Sequence, residues 1–256
     1  MNEVEEVFGR WMAHDGFVDD LFSPLMTAVD KADFGRLHEL LPKATTEELE
    51  RRAILADGHT LRPVHLAANL RGDAVSSAVL TMLLKAGANP NSMSHSVRDR
   101  QNLKSLWTPL FMSVRGKRLA SACALIAHGA DVNLACGDWT PLHLAAEKDD
   151  AVMIHMLASH KADVDVKSTG KRKWTPLHSA AFHGAEKACK ALWCEGAALD
   201  KRDAENMTPI DVAREKGHEN IVALMMLLGA KNEALEISDA TATGTSSNST
   251  KRSRRI

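Results

Sequence analysis

The chain has 256 residues, of which 45% are hydrophobic and 25% are charged, close to the averages of soluble globular proteins. This composition excludes an intrinsically disordered chain, and a net charge of −1 excludes a general electrostatic attraction to nucleic acid or to an acidic membrane. No segment approaches the roughly 18 apolar residues of a membrane helix, and the acidic start lacks the features of a secretory signal, so we expect an intracellular protein.

The first 22 residues come before the repeated part of the chain. Val4, Phe8, Trp11 and Met12 fall at helical spacing, which predicts a short amphipathic helix. Because the end of a repeat stack needs a cover with a polar outer face, we expect residues 1–22 to form an N-terminal capping segment.

A peptide close to Thr-Pro-Leu-His-Leu-Ala-Ala recurs along the chain. It is clearest at residues 140–146 and 175–181, and altered copies begin at Ser23, Arg62, Thr108 and Thr208. The copies that begin at positions 108, 140, 175 and 208 are 32, 35 and 33 residues apart. A second signature, typified by His128-Gly129-Ala130-Asp131, follows each copy. Two linked motifs at one period indicate a repeat protein, with repeats starting near residues 23, 62, 108, 140, 175 and 208.

Each repeat is predicted to be a pair of helices. Thr or Ser before Pro is a favourable helix cap with proline at the first helical position, so we expect the first helix to begin at each proline. The second helix should bury an apolar stripe, which we assign to Val152 and Leu157 in one repeat and, in the last repeat, to Ile221, Leu224, Met225 and Leu228. Four glycines are expected to end second helices in the left-handed conformation: Gly87, Gly129, Gly196 and Gly229.

Two regions depart from the regular period. Arg62 replaces the capping threonine and Pro42 interrupts the first repeat, so we expect a distorted N-terminal end. An insertion of about a dozen residues around Ser92 to Ser105 carries Arg98 and Arg100, and such an insertion predicts a loop on one face of the stack, often the binding face.

Residues 233–256 differ in composition from the repeats. Their Thr, Ser, Gly and Ala content cannot form a core, which predicts a disordered tail. The tail ends in the basic cluster Lys251-Arg252-Ser253-Arg254-Arg255. This cluster is a candidate nuclear-localisation signal or nucleic-acid contact, and the alternative is a chance group of solvated charges.

The two motifs resemble the ankyrin repeat, which has a period of about 33 residues and the same Thr-Pro-Leu-His-x-Ala run. The resemblance covers about residues 23–232 and implies an all-α repeat solenoid of about six helix-turn-helix repeats with β-hairpin-like finger loops. In this family the motif histidine is held by the motif threonine and by the backbone of a neighbouring repeat. We therefore interpret His65, His143 and His178 as structural.

The resemblance also implies where a partner would bind. The residue before each motif threonine lies at the base of the finger, facing the concave surface, and these residues are Trp107, Trp139, Trp174 and Met207. Such a ridge would supply binding hot spots, although each indole could instead pack against the next finger, and both roles can coexist. Further candidates occupy the variable positions after the Ala-Ala pair and the basic finger: Arg115, Glu147, Lys148, Phe182, His183, Lys171, Arg172 and Lys173. The basic finger favours an acidic partner, or it is simply a solvated surface.

Enzyme signatures are absent from the sequence. It contains no phosphate-binding glycine loop, no HExxH motif and no GxSxG elbow, and its four cysteines do not have the spacing of zinc ligands. We predict a non-catalytic protein–protein interaction module, an adaptor, scaffold or inhibitor, which is monomeric on its own and uses no cofactor, metal, membrane or small-molecule substrate. The alternatives are a regulatory or targeting subunit of an enzyme assembly and a nucleic-acid binder. The predicted location is the cytoplasm, with the nucleus and delivery into a host cell by bacteria as alternatives.

Overall fold

The computed structural model describes residues 23–54, 59–96 and 107–230. The chain divides into two compact units, an N-terminal unit of residues 1–131 and a C-terminal unit of residues 132–256. Three sequence predictions lie outside the described residues: the capping segment 1–22, the inserted Arg98 and Arg100, and the tail 233–256.

The N-terminal unit consists of paired helices and one small sheet. Its helices are α1 (Pro24–Asp30), α2 (Phe34–Leu40), a 3₁₀ turn (Leu41–Lys43), α3 (Thr46–Leu49), α4 (Pro63–Asn69), α5 (Asp73–Lys85), α6 (Pro109–Arg115) and α7 (Leu119–Ala127). The replacement of α-helix by a 3₁₀ turn at Pro42 confirms the predicted distortion, since proline removes a backbone donor. Arg62 precedes α4 without a capping oxygen, and its guanidinium instead contacts the Met93 carbonyl at 2.7 Å and the Glu50 carboxylate at 2.8 Å.

The sheet joins three short antiparallel strands in the order β1 (Ala53–Ile54), β2 (His59–Leu61) and β3 (His95–Ser96). Thr60 on β2 pairs with His95 on β3, so the insertion begins as a strand. The prediction of a loop was therefore wrong for residues 95–96. Pairing on both sides of β2 satisfies backbone groups that a loop would leave to water.

The C-terminal unit is built only from helix pairs and finger loops among its described residues, 132–230. Its helices are α8 (Pro141–Glu147), α9 (Ala151–Ser159), α10 (Pro176–His183), α11 (Glu186–Cys194) and α12 (Pro209–Glu215), followed by helical residues 219–230. The alanine pairs of α8 and α10 are fully buried, and small side chains allow α8, α10 and α12 to pack side by side.

The helix starts confirm the capping argument. The first helix of every repeat begins at its proline: Pro24, Pro63, Pro109, Pro141, Pro176 and Pro209. The Thr108 hydroxyl accepts a hydrogen bond from the Phe111 amide at 3.1 Å, which satisfies a donor at the helix end.

Two predictions about the second helices were wrong. Val152 is 60% exposed, whereas Met153, Ile154 and Leu157 are buried; α9 begins at Ala151, and a period of 3.6 residues then turns Val152 away from the core face. Gly229 lies inside the helical residues 219–230 rather than ending a helix, so the chain does not reverse there and needs no left-handed residue. Ile221, Met225 and Leu228 are buried as predicted, whereas Leu224 is only half-buried. The other three glycines have the expected positive φ angles: Gly87 99°, Gly129 88° and Gly196 90°.

Within the parts of the chain that the structure describes, no helix combines the length and the apolar character needed to cross a membrane.

Candidate functional site

Each buried motif imidazole links its own repeat to the next. The Nε2 atom of His143 lies 2.9 Å from the Trp174 carbonyl, and that of His178 lies 3.1 Å from the Met207 carbonyl. His65 makes the same contact with the Trp107 carbonyl at 3.1 Å. Because a carbonyl only accepts, Nε2 must donate. The geometry confirms that these histidines are structural.

The protonation of His143 follows from the same geometry. Burial lowers the pKa of His143 to about 4, and burial also lowers the pKa of His178. A neutral ring leaves Nδ1 free to accept, and the hydroxyls of Thr140 and Thr175 lie 2.8 Å from the Nδ1 atoms of His143 and His178. At neutral pH these rings are uncharged and act as fixed hydrogen-bond bridges.

The residue before each motif threonine closes a finger loop. The Trp174 carbonyl accepts from the Ser168 amide at 2.7 Å, and the Trp174 amide donates to the Ser168 hydroxyl at 3.0 Å. The Met207 carbonyl accepts from the Asp203 amide at 3.0 Å, and the Trp139 carbonyl accepts from the Cys136 amide at 2.7 Å. The predicted hairpin-like fingers are therefore held by short-range hydrogen bonds at their bases.

The predicted tryptophan ridge is mostly buried. Trp107 and Trp174 are each only 8% exposed, so each indole contributes mainly to packing and offers a small accessible edge. Trp139 is half-buried, with its ring 5.6 Å from the His143 ring.

An aromatic and cationic cluster surrounds Trp174. The Phe182 ring lies 4.9 Å from the Trp174 ring at an angle of 48°. The Arg172 guanidinium carbon lies 4.7 Å from the Trp174 ring centre and 5.8 Å from that of Phe182, and the Lys216 Nζ atom lies 4.9 Å from the Phe182 ring centre. Arg172, Trp174, Phe182 and Lys216 are called the Trp174 cluster below. The attraction between a cation and an aromatic face contributes about 0.5–1 kcal/mol at an exposed position.

The Trp174 cluster borders an open cavity of about 30 Å³. Its lining residues are Arg172, Trp174, Phe182, Asp203, Glu205, Met207, Val212, Glu215 and Lys216. The Trp174 indole N–H donates to Asp203 at 3.0 Å, which fixes the indole orientation. Because small-molecule sites commonly enclose about 300–1,000 Å³, this cavity suits the tip of one side chain better than a free metabolite.

The other predicted site residues lie around this cluster or apart from it. His183 is exposed, with its ring 5.0 Å from the Phe182 ring. Lys171 and Lys173 are exposed on the finger beside Arg172. The side chains of Glu147 and Lys148 pair with each other at 3.2 Å. In the N-terminal unit, the Arg115 guanidinium carbon lies 5.5 Å from the Trp107 ring centre.

Sequence reasoning missed Asp203 and Lys216. Asp203 stands four residues before Met207, and its second oxygen, Oδ1, accepts from the Met207 amide at 2.9 Å. Lys216 directly follows α12. Asp203 could have been found by aligning the finger loops on the hydrogen bonds that close them. The sequence alone does not show these hydrogen bonds.

The titratable groups of the described residues form no metal-binding cluster, and two of the thiols are buried. No group of three or more His, Cys, Asp and Glu side chains there could hold a metal ion. Cys136 and Cys189 are buried and Cys123 and Cys194 are exposed. Burial raises the pKa of the Cys189 thiol to about 12, so this thiol stays protonated and unreactive at neutral pH.

Helix pairs that repeat at one period and pass hydrogen bonds from repeat to repeat define a helical repeat protein. The chain matches the family model for ankyrin repeats (3 copies) over residues 64–168 and 162–235. It belongs to the ankyrin-repeat family. Ankyrin repeats indicate a protein-interaction module, and the family is in general non-enzymatic.

Several curated proteins share this repeat. The chain is 34% identical over 110 residues to alpha-latrocrustotoxin-Lt1a of Latrodectus tredecimguttatus, covering 43% of the chain and 8% of the toxin. It is 31% identical over 156 residues to an ankyrin repeat protein of fowlpox virus, covering 58% of the chain and 43% of the relative. It is 35% identical over 88 residues to protein phosphatase 1 regulatory subunit 12A of Mus musculus, covering 34% of the chain and 8% of that subunit. The chain therefore spans less than half the length of these relatives.

Proposed function

We propose that this chain binds a partner protein through the finger loops and first helices of its C-terminal unit, with the Trp174 cluster at the centre of the contact. The observation that carries the proposal is the cavity beside Trp174, Phe182 and Met207, which is lined by these apolar side chains together with charged ones. Binding hot spots have this composition, an aromatic anchor surrounded by residues that exclude water.

The size and chemistry of the cavity support a protein partner over a small molecule. A volume of about 30 Å³ is an order of magnitude below that of a typical metabolite site. The charged side chains Glu215 and Lys216 pair with each other at 2.8 Å, so they supply a polar rim rather than a reactive pair. An inserted partner side chain would meet both aromatic rings and charged groups.

Phe182 offers the sharpest test because it is half-buried and caps no helix. The full chain is used to capture partners from cell extract, and the captured proteins are identified by mass spectrometry. Phe182→Ala should weaken binding of the identified partner at least about thirty-fold, the effect of losing a hot-spot residue. The matched control is Phe34→Ala, which removes a 40% exposed phenylalanine from the N-terminal unit. Equal binding by the two variants, with equal folded content by circular dichroism, would contradict the proposal.

A second candidate function is a regulatory subunit of an enzyme assembly. The likeness to protein phosphatase 1 regulatory subunit 12A over 88 residues favours it. This candidate predicts that a phosphatase catalytic subunit is among the captured proteins and that its activity changes when the full chain is added. If no enzyme subunit is among the captured proteins, this candidate is rejected and the adaptor role remains.

A further inference from the structure

The geometry points to a specific chemistry for the partner: Arg172 receives a carboxylate from a partner segment whose neighbouring apolar side chain enters the cavity of the Trp174 cluster. This inference rests on the proposed function and adds the identity of the recognised group. It concerns the C-terminal unit alone.

The Arg172 guanidinium is exposed and stacked, yet no described residue supplies it with an anionic partner. Its carbon lies 4.7 Å from the Trp174 ring centre. Among residues 23–54, 59–96 and 107–230, no carboxylate lies within ion-pair distance of this guanidinium, and no hydrogen bond is formed by its N–H groups. A guanidinium has five N–H donors in a planar fork that matches the two oxygens of a carboxylate. Arg172 therefore presents an unused anion receptor at the edge of the cavity.

Two of the neighbouring charged side chains of the cavity already have partners within the chain. Lys216 lies 2.8 Å from Glu215. Asp203 is also fully used: its Oδ1 atom accepts from the Glu205 and Met207 amides at 2.8 Å and 2.9 Å, and its Oδ2 atom accepts from the Trp174 indole at 3.0 Å. The exposed Glu205 also lines the cavity, but its carboxylate is not within ion-pair distance of Arg172. Among the described lining residues, Arg172 is therefore the cation that has no carboxylate within ion-pair distance.

The finger that carries Arg172 strengthens this positive character. Residues 166–174 contain Lys167, Lys171, Arg172 and Lys173 and no acidic side chain. Lys167 donates to the Arg202 carbonyl at 2.8 Å, and Lys173 donates to the Thr169 carbonyl at 3.1 Å. These hydrogen bonds position the ammonium groups without cancelling their charge. The Asp138 carboxylate lies against Gly170 of this finger, so the four cations remain in excess. An excess of positive charge attracts an acidic segment and accelerates its association.

The aromatic stack also prepares Arg172 for binding. Trp174 is buried and its indole is anchored to Asp203, so the ring face beneath the guanidinium is fixed. A side chain that is already held in place loses less entropy when it pairs with a ligand. Lysine cannot reproduce this arrangement because its ammonium is a point charge without a planar face.

The test uses phage-displayed short random peptides selected on the full chain. Enriched peptides should carry Asp or Glu beside a large apolar residue. For one such synthetic peptide, measured by fluorescence anisotropy, Arg172→Gln should weaken binding on the order of ten- to a hundred-fold, as expected when a charged hydrogen-bond partner is lost. Arg172→Lys should recover only part of the affinity. Arg71→Gln, which removes an exposed arginine from the N-terminal unit, is the matched control and should leave affinity unchanged.

A double-mutant cycle identifies the pair directly. Replacing the peptide's acidic residue by its amide should weaken binding to the wild-type chain and have no further effect on Arg172→Gln. If that replacement weakens binding equally in both chains, or if the enriched peptides lack acidic residues, this inference is overturned. Peptides that still depend on Phe182 would then leave the proposed function standing. If no peptide is enriched, or none depends on Phe182, the inference falls together with the proposed binding site.

Discussion

Trp107 lies in the N-terminal unit and Trp174 in the C-terminal unit, and the chain segment that ends at each of them is called its turn below. Both turns are held in the same way, by a motif histidine that donates to the tryptophan carbonyl. The Trp107 carbonyl accepts from His65 at 3.1 Å, and the Trp174 carbonyl accepts from His143 at 2.9 Å. Both indoles are 8% exposed. The same sequence motif therefore builds the same buried scaffold in both units.

The side chains on that scaffold differ. Trp174 is accompanied by Phe182, by the stacked Arg172 and by its hydrogen bond to Asp203. Trp107 has the Arg115 guanidinium carbon 5.5 Å from its ring centre. The repeat motif thus determines the backbone and the packing of both indoles, whereas the side chains around each indole lie outside the motif and differ between the two units.

The largest expected effect is a loss of stability shared by both turns. Trp107→Ala and Trp174→Ala should each lower the free energy of unfolding by about 3–5 kcal/mol, because each removes a large buried ring. Urea unfolding of each variant, followed by circular dichroism, measures this. A loss below about 1 kcal/mol at either position would show that its indole is not a packing residue.

Binding measurements should distinguish the two tryptophans. Under conditions where both variants remain folded, partner affinity should fall with Trp174→Ala and stay unchanged with Trp107→Ala. Trp174→Phe serves as the control, since a phenyl ring retains much of the packing and a face for Arg172. Equal loss of affinity in both alanine variants would remove the distinction between the two turns.

Acid should destabilise the fold around His143, whose imidazole donates to the Trp174 carbonyl. In the unfolded chain the imidazole of His143 has a pKa near 6.5, and in the folded chain burial lowers that pKa to about 4. The unfolded state therefore binds a proton that the folded state excludes, so stability is complete above pH 6.5 and falls as the pH approaches 4. This group alone should lower the free energy of unfolding by about 3 kcal/mol across that window.

Urea unfolding at several pH values measures the effect. His143→Asn should be less stable at neutral pH and should lack this part of the pH dependence, whereas His160→Asn, at an exposed position, should retain it. An unchanged pH profile in His143→Asn would assign the acid sensitivity to other groups.

The smallest expected effect distinguishes the helix caps of the two turns. Thr108 caps α6 through the Phe111 amide, and Thr108→Ala should lower the free energy of unfolding by about 1 kcal/mol. Thr175 also bonds to Nδ1 of His178 at 2.8 Å, so Thr175→Ala should reach about 2 kcal/mol. Thermal unfolding of the two variants compares them, and equal losses would mean that the bond to His178 adds nothing.

The start of each first helix could be predicted from the sequence because the information is local. The capping residue and the proline are adjacent, and their preferences do not depend on the rest of the fold. The face of α9 was harder. Val152 and Met153 are adjacent and both apolar, so the sequence does not show which one faces the core. Only the packing against other helices shows that Met153 points inward.

The candidate site was predictable only in part. Trp174, Phe182 and Met207 could be identified as candidates because each occupies a fixed position relative to its repeat motif. The stacking of Arg172 and the anchoring role of Asp203 depend on how two finger loops fold back, and loops have no periodicity that reveals their contacts. The strands at residues 53–54 and 95–96 are likewise too short to carry an alternating pattern.

The hydrogen bond from each motif imidazole to the following repeat limits how the chain can be dissected. A fragment cut after residue 206 would retain His178 but lose the Met207 carbonyl that its Nε2 atom contacts. The last repeat kept in such a fragment would then lack a hydrogen bond that holds it in the full chain. Excised single repeats are therefore poor surrogates for this protein, and a minimal fragment for mapping partners should extend one full repeat beyond the residues that make contact.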